Sequence, residues 1–488
     1  MRISHTIIMR TTAVLIVVLL LLSACGSGGE DTPVTAETSA ETTSAAEVTT
    51  QQLGYEYNIE DEDFGGREFS MLVVKHADYE YVVVEESGDV VEDTVFARNR
   101  YVEELLNITF NFNSVAGYSG ADTANFNNII KNSVLAGDEA YDMVNGLNVF
   151  VTSLIIDDCF LNWNNIEGCN LENPWWTPGT PLNGFNGFAF NESSFSMYKD
   201  IYVMFFNKFL TEQYKLGDPY SLVKEGGWSL DAFLGMASDA SVDVDGNGTI
   251  ELNKDIVSYV AKHAAGRGYL RSCDCTVFTY HDDGTVEADA LSERLVTAYD
   301  KLKPYLSDKS QVFVDSQDDI FLLSKPFTNQ QAFFLVNCMG AIEGMRDMEN
   351  DFGIVPLPKY DEAQEEYYSQ IATSASALYL PATASDTRLC GLVGESLGYY
   401  SYLNVVPTYF DVALGEKYSR DKDTVEMINI IRSSASTNLE FEFASTFGHS
   451  ANDIFNKAWS GEDIGSYFAS KLPTWQAKLE ILMAYNNK

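Results

Sequence analysis

Between Gly66 and Val144 the apolar residues switch repeatedly between two spacings, and that alternation constrains the fold more than any other feature of the chain. Phe69-Ser70-Met71-Leu72-Val73-Val74 is an almost unbroken apolar run, as in a buried strand. A helix is expected from Asp93 as N-cap, with Val95, Val102, Leu105 and Leu106 on one stripe. Ile108, Phe110 and Phe112 then alternate with polar residues, as a half-buried strand does. A second helix is expected near Asn125–Leu135 and a third strand at Tyr141-Asp142-Met143-Val144. Strands separated by helices imply βαβ units and a mainly parallel sheet, so the fold class is α/β. Later, Leu291, Leu295, Ala298, Leu302 and Leu306 mark an amphipathic helix, and Ile354-Val355-Pro356-Leu357-Pro358 a short strand that proline stops. A chain of 488 residues without internal repeats suggests two or three domains.

The first residues read differently. Arg2 and Arg10 precede an apolar stretch from Ala13 to Leu22, and Leu22-Ser23-Ala24-Cys25 has the form of a bacterial lipobox. Ten apolar residues rise about 15 Å as a helix, half of what a bilayer core requires. Residues 1–24 are therefore expected to be a cleaved signal, leaving Cys25 as the acylated end of an extracytoplasmic protein on the outer face of the cytoplasmic membrane. From Gly26 to about Gln52 the chain is Gly, Ser, Thr, Ala and Glu, too poor in large apolar residues to fold. Residues 25–53 are expected to be a tether reaching roughly 25–30 Å.

The formal charge is −40, and losing Arg2 and Arg10 takes it to −42. Such a surface repels nucleic acid and anionic headgroups, and no nucleic-acid partner is expected. Aromatic residues make up 13% of the chain, a surplus found both in sugar-binding exported proteins and in large cores. Besides Cys25 there are Cys159, Cys169, Cys273, Cys275, Cys338 and Cys390. An exported protein can oxidise such thiols, and Cys159 with Cys169 could close a small loop. Cys273-Asp274-Cys275 is a poor zinc or redox spacing. Free thiols and disulfides both remain open.

Several segments in order resemble the family 1 extracellular solute-binding proteins, the tethered receptors of ABC importers. They are Asn173-Pro174-Trp175-Trp176, Val203-Met204-Phe205-Phe206-Asn207-Lys208 and Gly227-Trp228-Ser229-Leu230. Arg346-Asp347-Met348 then leads into Phe352-Gly353-Ile354-Val355-Pro356-Leu357-Pro358-Lys359, and Val406-Pro407-Thr408-Tyr409 precedes Arg420-Asp421. The resemblance spans roughly Gly66 to Ile431. It implies a two-lobed periplasmic-binding-protein-like fold, with two α/β lobes joined by a multi-segment hinge and an interlobe ligand cleft. Crossings are expected near residues 200, 330 and 383, giving one lobe of 54–200 plus 330–382 and another of 201–329 plus 383–488. It further implies a monomer that captures an extracellular solute, an oligosaccharide for preference, by lobe closure and delivers it to a membrane permease. A surface glycoside hydrolase and a peptide-binding lipoprotein are the alternatives.

Candidate ligand residues follow from chemistry and position. Sugar C–H faces stack on flat rings, which singles out Trp175 and Trp176. Open α/β sheets bind ligands at loops after parallel strands. Those loops offer His76, Asp78 and Tyr79, then Asn145 and Asn148, and Asn337 after the strand-like Phe333–Val336, with Asp200 ahead of Val203–Lys208. Asp243-Val244-Asp245-Gly246-Asn247-Gly248-Thr249-Ile250-Glu251 has the spacing of a calcium loop. Asp243, Asp245, Asn247 and the Thr249 carbonyl would be ligands, with Glu251 and Asp255 as further acids. Lys254 stands where the loop normally has its closing acid, and an Asx-rich turn explains the same residues. A structural calcium is thus possible, and no cofactor is required.

Enzymatic signals are poor. His76, His263, His281 and His449 form no metal spacing, and there is no P-loop. Ser196-Met197-Tyr198-Lys199 fits S-x-x-K without a partnering K-T-G. No catalytic residues are expected.

Overall fold

The computed structural model describes residues 62–485 apart from 282, 316–318 and 420. The expected signal, the lipidated Cys25 and the tether up to residue 53 lie outside the described residues, as does Arg420.

Two sheets organise the chain. The first contains β1 (Arg67–Val74), β2 (Ile108–Val115), β3 (Met143–Leu147), β4 (Trp176–Pro178) and β5 (Ala189–Asn191). The second contains β6 (Tyr202–Asn207), β7 (Val257–Lys262), β10 (Val312–Asp315), β11 (Ala332–Cys338) and β12 (Phe352–Val355). Two short ladders pair β8 (Thr279–Tyr280) with β9 (Val286–Glu287), and β13 (Ser369–Gln370) with β15 (Ala435–Ser436). A late strand, β14 (Ser376–Tyr379), returns to the first sheet, whose order is β2-β1-β3-β14-β5-β4. The second sheet runs β10-β7-β11-β6-β12.

The expected parallel pairing holds in part of each sheet. β1 is parallel to β2 and β3, and β7 is parallel to β10 and β11. β14, β4 and β5 are antiparallel in the first sheet, as are β6 and β12 in the second. Helices follow the parallel strands, as a crossover requires. The helix Val90–Leu106 starts earlier than expected: Asp89, not Asp93, is the cap, accepting from the Val91 and Glu92 amides at 2.9 and 3.0 Å. Asp93 instead reaches back to the Ser87 amide at 2.8 Å. The helix Gly120–Ala136 stops at Gly137, whose φ of 63° suits glycine, and a third helix spans Glu293–Leu306 behind Ser292.

Strand membership redraws the expected boundaries. The crossing expected near residue 200 falls between Asn191 in β5 and Tyr202 in β6. The one expected near 330 does not exist, because β11 pairs with β6 and β7 and β12 pairs with β6, all in the second sheet. The chain returns only between Val355 and Ser376. The crossing expected near 383 falls after Tyr400: Leu389, Leu392, Val393 and Leu397 of the helix Thr387–Tyr400 share a core with Met71, Val73 and Trp176 of the first sheet. The helix Lys422–Ser433 then packs on the second lobe, with the Thr424 hydroxyl 2.9 Å from that of Tyr220.

A buried ion pair fastens this hinge. Arg432 donates to both carboxylate oxygens of Glu192, which also accepts from the Tyr198 hydroxyl, while Arg432 donates to the Tyr402 carbonyl at 2.9 Å. Glu192 and Tyr198 lie on the first crossing and Tyr402 on the last.

Candidate functional site

The carboxyl ends of parallel strands from both sheets meet at the first crossing. β1 runs into the turn Lys75–Glu80, which presents His76, Asp78 and Tyr79. Beyond β2, Tyr118 stacks on His76 with ring centroids 4.2 Å apart and planes 19° from parallel, and remains 50% exposed. From the second sheet, β7 ends at Lys262, followed by the exposed His263. Asp200 sits between them. Its carboxylate accepts from the Ser374 hydroxyl at 2.7 Å, on the returning crossing. Burial raises its pKa, while the Ser374 hydroxyl and the neighbouring His76, Lys199 and Lys262 oppose the rise. Charges from both lobes therefore act on one half-buried carboxylate.

Ion pairs frame this place. Lys199 lies 3.2 Å from Glu343, which also accepts from the Tyr409 hydroxyl at 3.1 Å. Arg267 pairs with Asp453 at 2.6 Å, and the Trp459 indole donates to the His263 carbonyl at 2.8 Å. Lys262 has no such ion pair among the described residues. Sequence reasoning missed Lys262, Lys199, Tyr118, Glu343 and Arg267. The run Val257-Ser258-Tyr259-Val260-Ala261 ahead of Lys262 was the signal available, since the strand-end rule that selected His76 selects Lys262 once that run is read as a strand.

Of the expected ligand residues, the structure brings together His76 and Asp200, with Tyr79 beneath Lys199 at 5.7 Å from its ring centre. Asp78 lies on the same turn and accepts from the Ser114 hydroxyl at 2.8 Å. The others are elsewhere. Trp175 and Trp176 are 1% and 5% exposed, which corrects the expectation of a ring face offered to a sugar. Trp176 packs on Trp163 and donates to Glu395 at 2.7 Å, while Trp175 meets Tyr399 edge-on. The covering helix comes so close that a Cβ on Gly398 would lie 2.6 Å from Trp175.

Asn145 is fully buried and donates to the hydroxyls of Ser194 and Ser376 at 3.1 and 2.9 Å. It belongs to a polar network around Glu80, whose carboxylate accepts from the Ser196 amide at 2.6 Å and the Ser376 hydroxyl at 2.5 Å. Burial pushes Glu80 up to about 7 against those hydrogen bonds and the nearby Arg98. Asn148 is buried as well. Asn337 is fully buried and donates to the Ile320 carbonyl at 2.9 Å, tying the turn Ile320–Leu323 to β11. Asn145 and Asn337 are therefore structural groups in this conformation.

In the 243–255 loop, Asp243, Asp245 and Asp255 bring carboxylate oxygens within 4.8 Å of one another. Asp243 already accepts from the Gly246, Asn247 and Gly248 amides, and Asp255 from those of Val244 and Glu251. Asn247 accepts from the Thr249 amide at 2.8 Å, and Glu251 pairs with Lys254 at 2.6 Å. The loop thus closes on its own hydrogen bonds while keeping an acidic cluster. The six cysteines from Cys159 to Cys390 are free thiols, so of the two alternatives left open for Cys159 and Cys169 the structure has the unpaired one.

A cavity of about 600 Å³ lies elsewhere, lined by Phe206, Lys208, Thr211 and Tyr220 among others. In the ladder Phe206 pairs with Phe334 and Tyr202 with Cys338, so this cavity opens at the end of the second sheet opposite Lys262. It holds none of the groups around Asp200.

No family model matches the chain, and no curated protein matches its sequence. Solved structures do match in shape. A cyclo/maltodextrin-binding protein complexed with maltotetraose is 11% identical with a TM-score of 0.53, over 86% of this chain and 99% of that one. The GacH receptor of Streptomyces glaucescens, solved unliganded and with acarbose, is 13% identical with a TM-score of 0.51, over 86% and 100%. A family 1 extracellular solute-binding protein from Bifidobacterium longum subsp. infantis is 13% identical with a TM-score of 0.51, over 85% and 100%. The chain therefore has the two-lobed α/β fold of the periplasmic binding proteins, the fold that the sequence resemblance implied. Each of these neighbours is a receptor or binding protein by its own description. No described helix is long and apolar enough to cross a membrane.

Proposed function

We propose that the protein is the solute-binding receptor of an ABC importer and captures an oligosaccharide in the cleft around Asp200. The observation that carries this reading is that His76, itself stacked on Tyr118, from one lobe and Lys262 from the other both act on the Asp200 carboxylate at the hinge. The stacked His76–Tyr118 pair offers a flat apolar face for a pyranose ring, and Asp200 and Lys262 offer an acceptor and a donor for its hydroxyls. Groups on both lobes favour the closed state when ligand bridges them, which a permease can read. That three similarly folded proteins are named as binding proteins or receptors, two of them solved with oligosaccharide-type ligands, supports the solute class. The protein is proposed to do no chemistry of its own, to hang from the outer face of the membrane by an acylated Cys25, and to act as a monomer. The loop bearing Asp243, Asp245 and Asp255 is proposed as a structural calcium clamp.

The test is binding of an oligosaccharide panel with each sugar recovered afterwards. Saturable binding, lost in Asp200→Ala and Lys262→Ala with the sugar intact, supports the reading. Recovered cleavage products would replace it with a hydrolase, and binding that ignores both substitutions would move the site.

A further inference from the structure

The last part of the chain joins the two lobes at a place separate from the crossings. The short helix Leu439–Glu442 is wholly buried and carries two carboxylates on alternate residues. Glu440 holds the second lobe: it accepts from the Val277 and Phe278 amides at 2.6 and 3.1 Å and from the Tyr280 hydroxyl at 2.6 Å. Glu442 holds the first lobe: it accepts from the Thr180 amide at 2.9 Å and the Thr180 hydroxyl at 3.1 Å, and its carbonyl accepts from the Thr152 hydroxyl at 2.7 Å. A second contact with the first lobe lies at the end of the helix Ile464–Met483. There Asn183 donates to the Met483 and Tyr485 carbonyls at 2.5 and 3.1 Å, and the Phe185 ring meets Tyr485 edge-on at 5.1 Å.

The two anchors are unequal. On the second lobe, Glu440 is joined by Trp475 against Phe278 at 5.9 Å, Gln476 on the Ala288 carbonyl at 2.9 Å, and Lys309 on the Trp459 carbonyl at 2.9 Å. The hydrogen bonds to the first lobe come from four residues: Thr152, Thr180 and Asn183, together with Asp158, which accepts from the Tyr485 hydroxyl. We propose that residues 438–485 are a latch, fixed to the second lobe and released from the first at Thr152, Asp158, Thr180 and Asn183 whenever the cleft opens. The proposal rests on the solute-binding reading only in taking the lobes to move about the crossings.

Closing the latch buries Glu442 between the lobes. Burial pushes its carboxyl up to about 8, the Thr180 donors oppose that, and the like charge of Glu440 adds to it. Tyr379 of the first sheet and Tyr280 of the second lobe are the other titratable groups acting on it, and both phenols are held well above their ordinary value by burial first. Closure therefore takes up a proton. It is fully favoured below the ordinary carboxyl value of 4.5 and loses that favour as the pH rises to about 8.

Residue-resolved amide exchange on the full chain without ligand tests this. The Thr180 amide and the Val277 and Phe278 amides all end on carboxylates of one helix, but only Thr180 lies across the proposed release point. Thr180 is expected to exchange roughly tenfold faster than Val277 and Phe278 after correction for intrinsic rates. Asn183→Ala should speed Thr180 further and leave the other two unchanged. In Glu442→Gln the Thr180 protection should no longer fall with rising pH. Equal protection of the three amides in the unaltered chain shows a static interface and overturns the latch. So does an Asn183→Ala that folds and leaves Thr180 unchanged, or a Glu442→Gln that keeps the pH dependence. None of these readouts involves a sugar, so the latch can fail while solute binding stands, and the reverse.

Discussion

Two regions of the first lobe use polar and aromatic side chains in opposite ways. Around Trp176, the Glu395 carboxylate accepts from the indole at 2.7 Å, the Asn170 amide at 3.1 Å and Asn173 at 2.5 Å, beneath a helix from the same lobe. Every one of those partners belongs to one lobe, and Trp176 and Glu395 are buried. Around Asp200, the carboxylate has one hydroxyl donor from a crossing segment, and its charged neighbours come from both lobes and remain partly exposed. Partners supplied by a single body build a core. Partners supplied by two lobes leave room for a solute to complete the set.

The sharpest way to break this contrast is Trp176→Ala. Removing the ring and leaving Glu395 short of a donor should cost about 3–5 kcal/mol in denaturant unfolding, with sugar affinity of the folded protein unchanged. A stable variant with lost affinity would restore the tryptophans as a binding face.

The next effect concerns pH. Glu80 lies in the network beneath the Asp200 region, and burial first raises its carboxyl to about 7. A raised folded-state value stabilises fully below 4.5, and that contribution is lost as the pH climbs through about 7. Its size is about 3 kcal/mol. Stability of Glu80→Gln measured across this window should lack the part of the decline that the unaltered chain shows. A variant with the same slope would mean that Glu80 is already ionised in the fold.

Asp200→Ala and Lys262→Ala should each weaken sugar binding about tenfold or more, which is about 1.4 kcal/mol. Folding stability should shift by less than about 1 kcal/mol, because neither side chain is a core group. Titration calorimetry beside thermal melts separates the two quantities. Loss of stability without loss of affinity would make Asp200 another Trp176.

The smallest effect is expected at the 243–255 loop. Calcium at about five times its dissociation constant should add roughly 1 kcal/mol, seen as a rise in melting temperature that chelation reverses. An unmoved midpoint would mean that the backbone hydrogen bonds of Asp243 and Asp255 suffice.

The alternation of spacings from Phe69 to Val144 was enough to read the α/β class and three parallel strands, because β1, buried on both faces, leaves a continuous apolar run and the half-buried β2 alternates. The division into lobes was not legible. Phe333-Phe334-Leu335-Val336 reads as a buried strand in either sheet, and only its ladder to Phe206 and Tyr259 assigns it to the second. The strand-end rule selected His76 and Asp78, which lie on the turn after β1. It overreached at Asn145 and Asn337, whose partners Ser376 and Ser324 fold over them. Trp175 and Trp176 misled for a similar reason, because the helix that covers them begins at Thr387, more than 200 residues away.

The central claim is that Asp200 and the groups facing it from both lobes hold a sugar. The most direct measurement is the thermal shift of the chain and of Asp200→Ala with an oligosaccharide panel, followed by recovery of each sugar. The account predicts a shift worth about 2.7 kcal/mol at 100 times the dissociation constant for at least one sugar, recovered intact, and nearly absent in Asp200→Ala. An equal shift in both proteins, no shift with any sugar, or a cleaved product would contradict it.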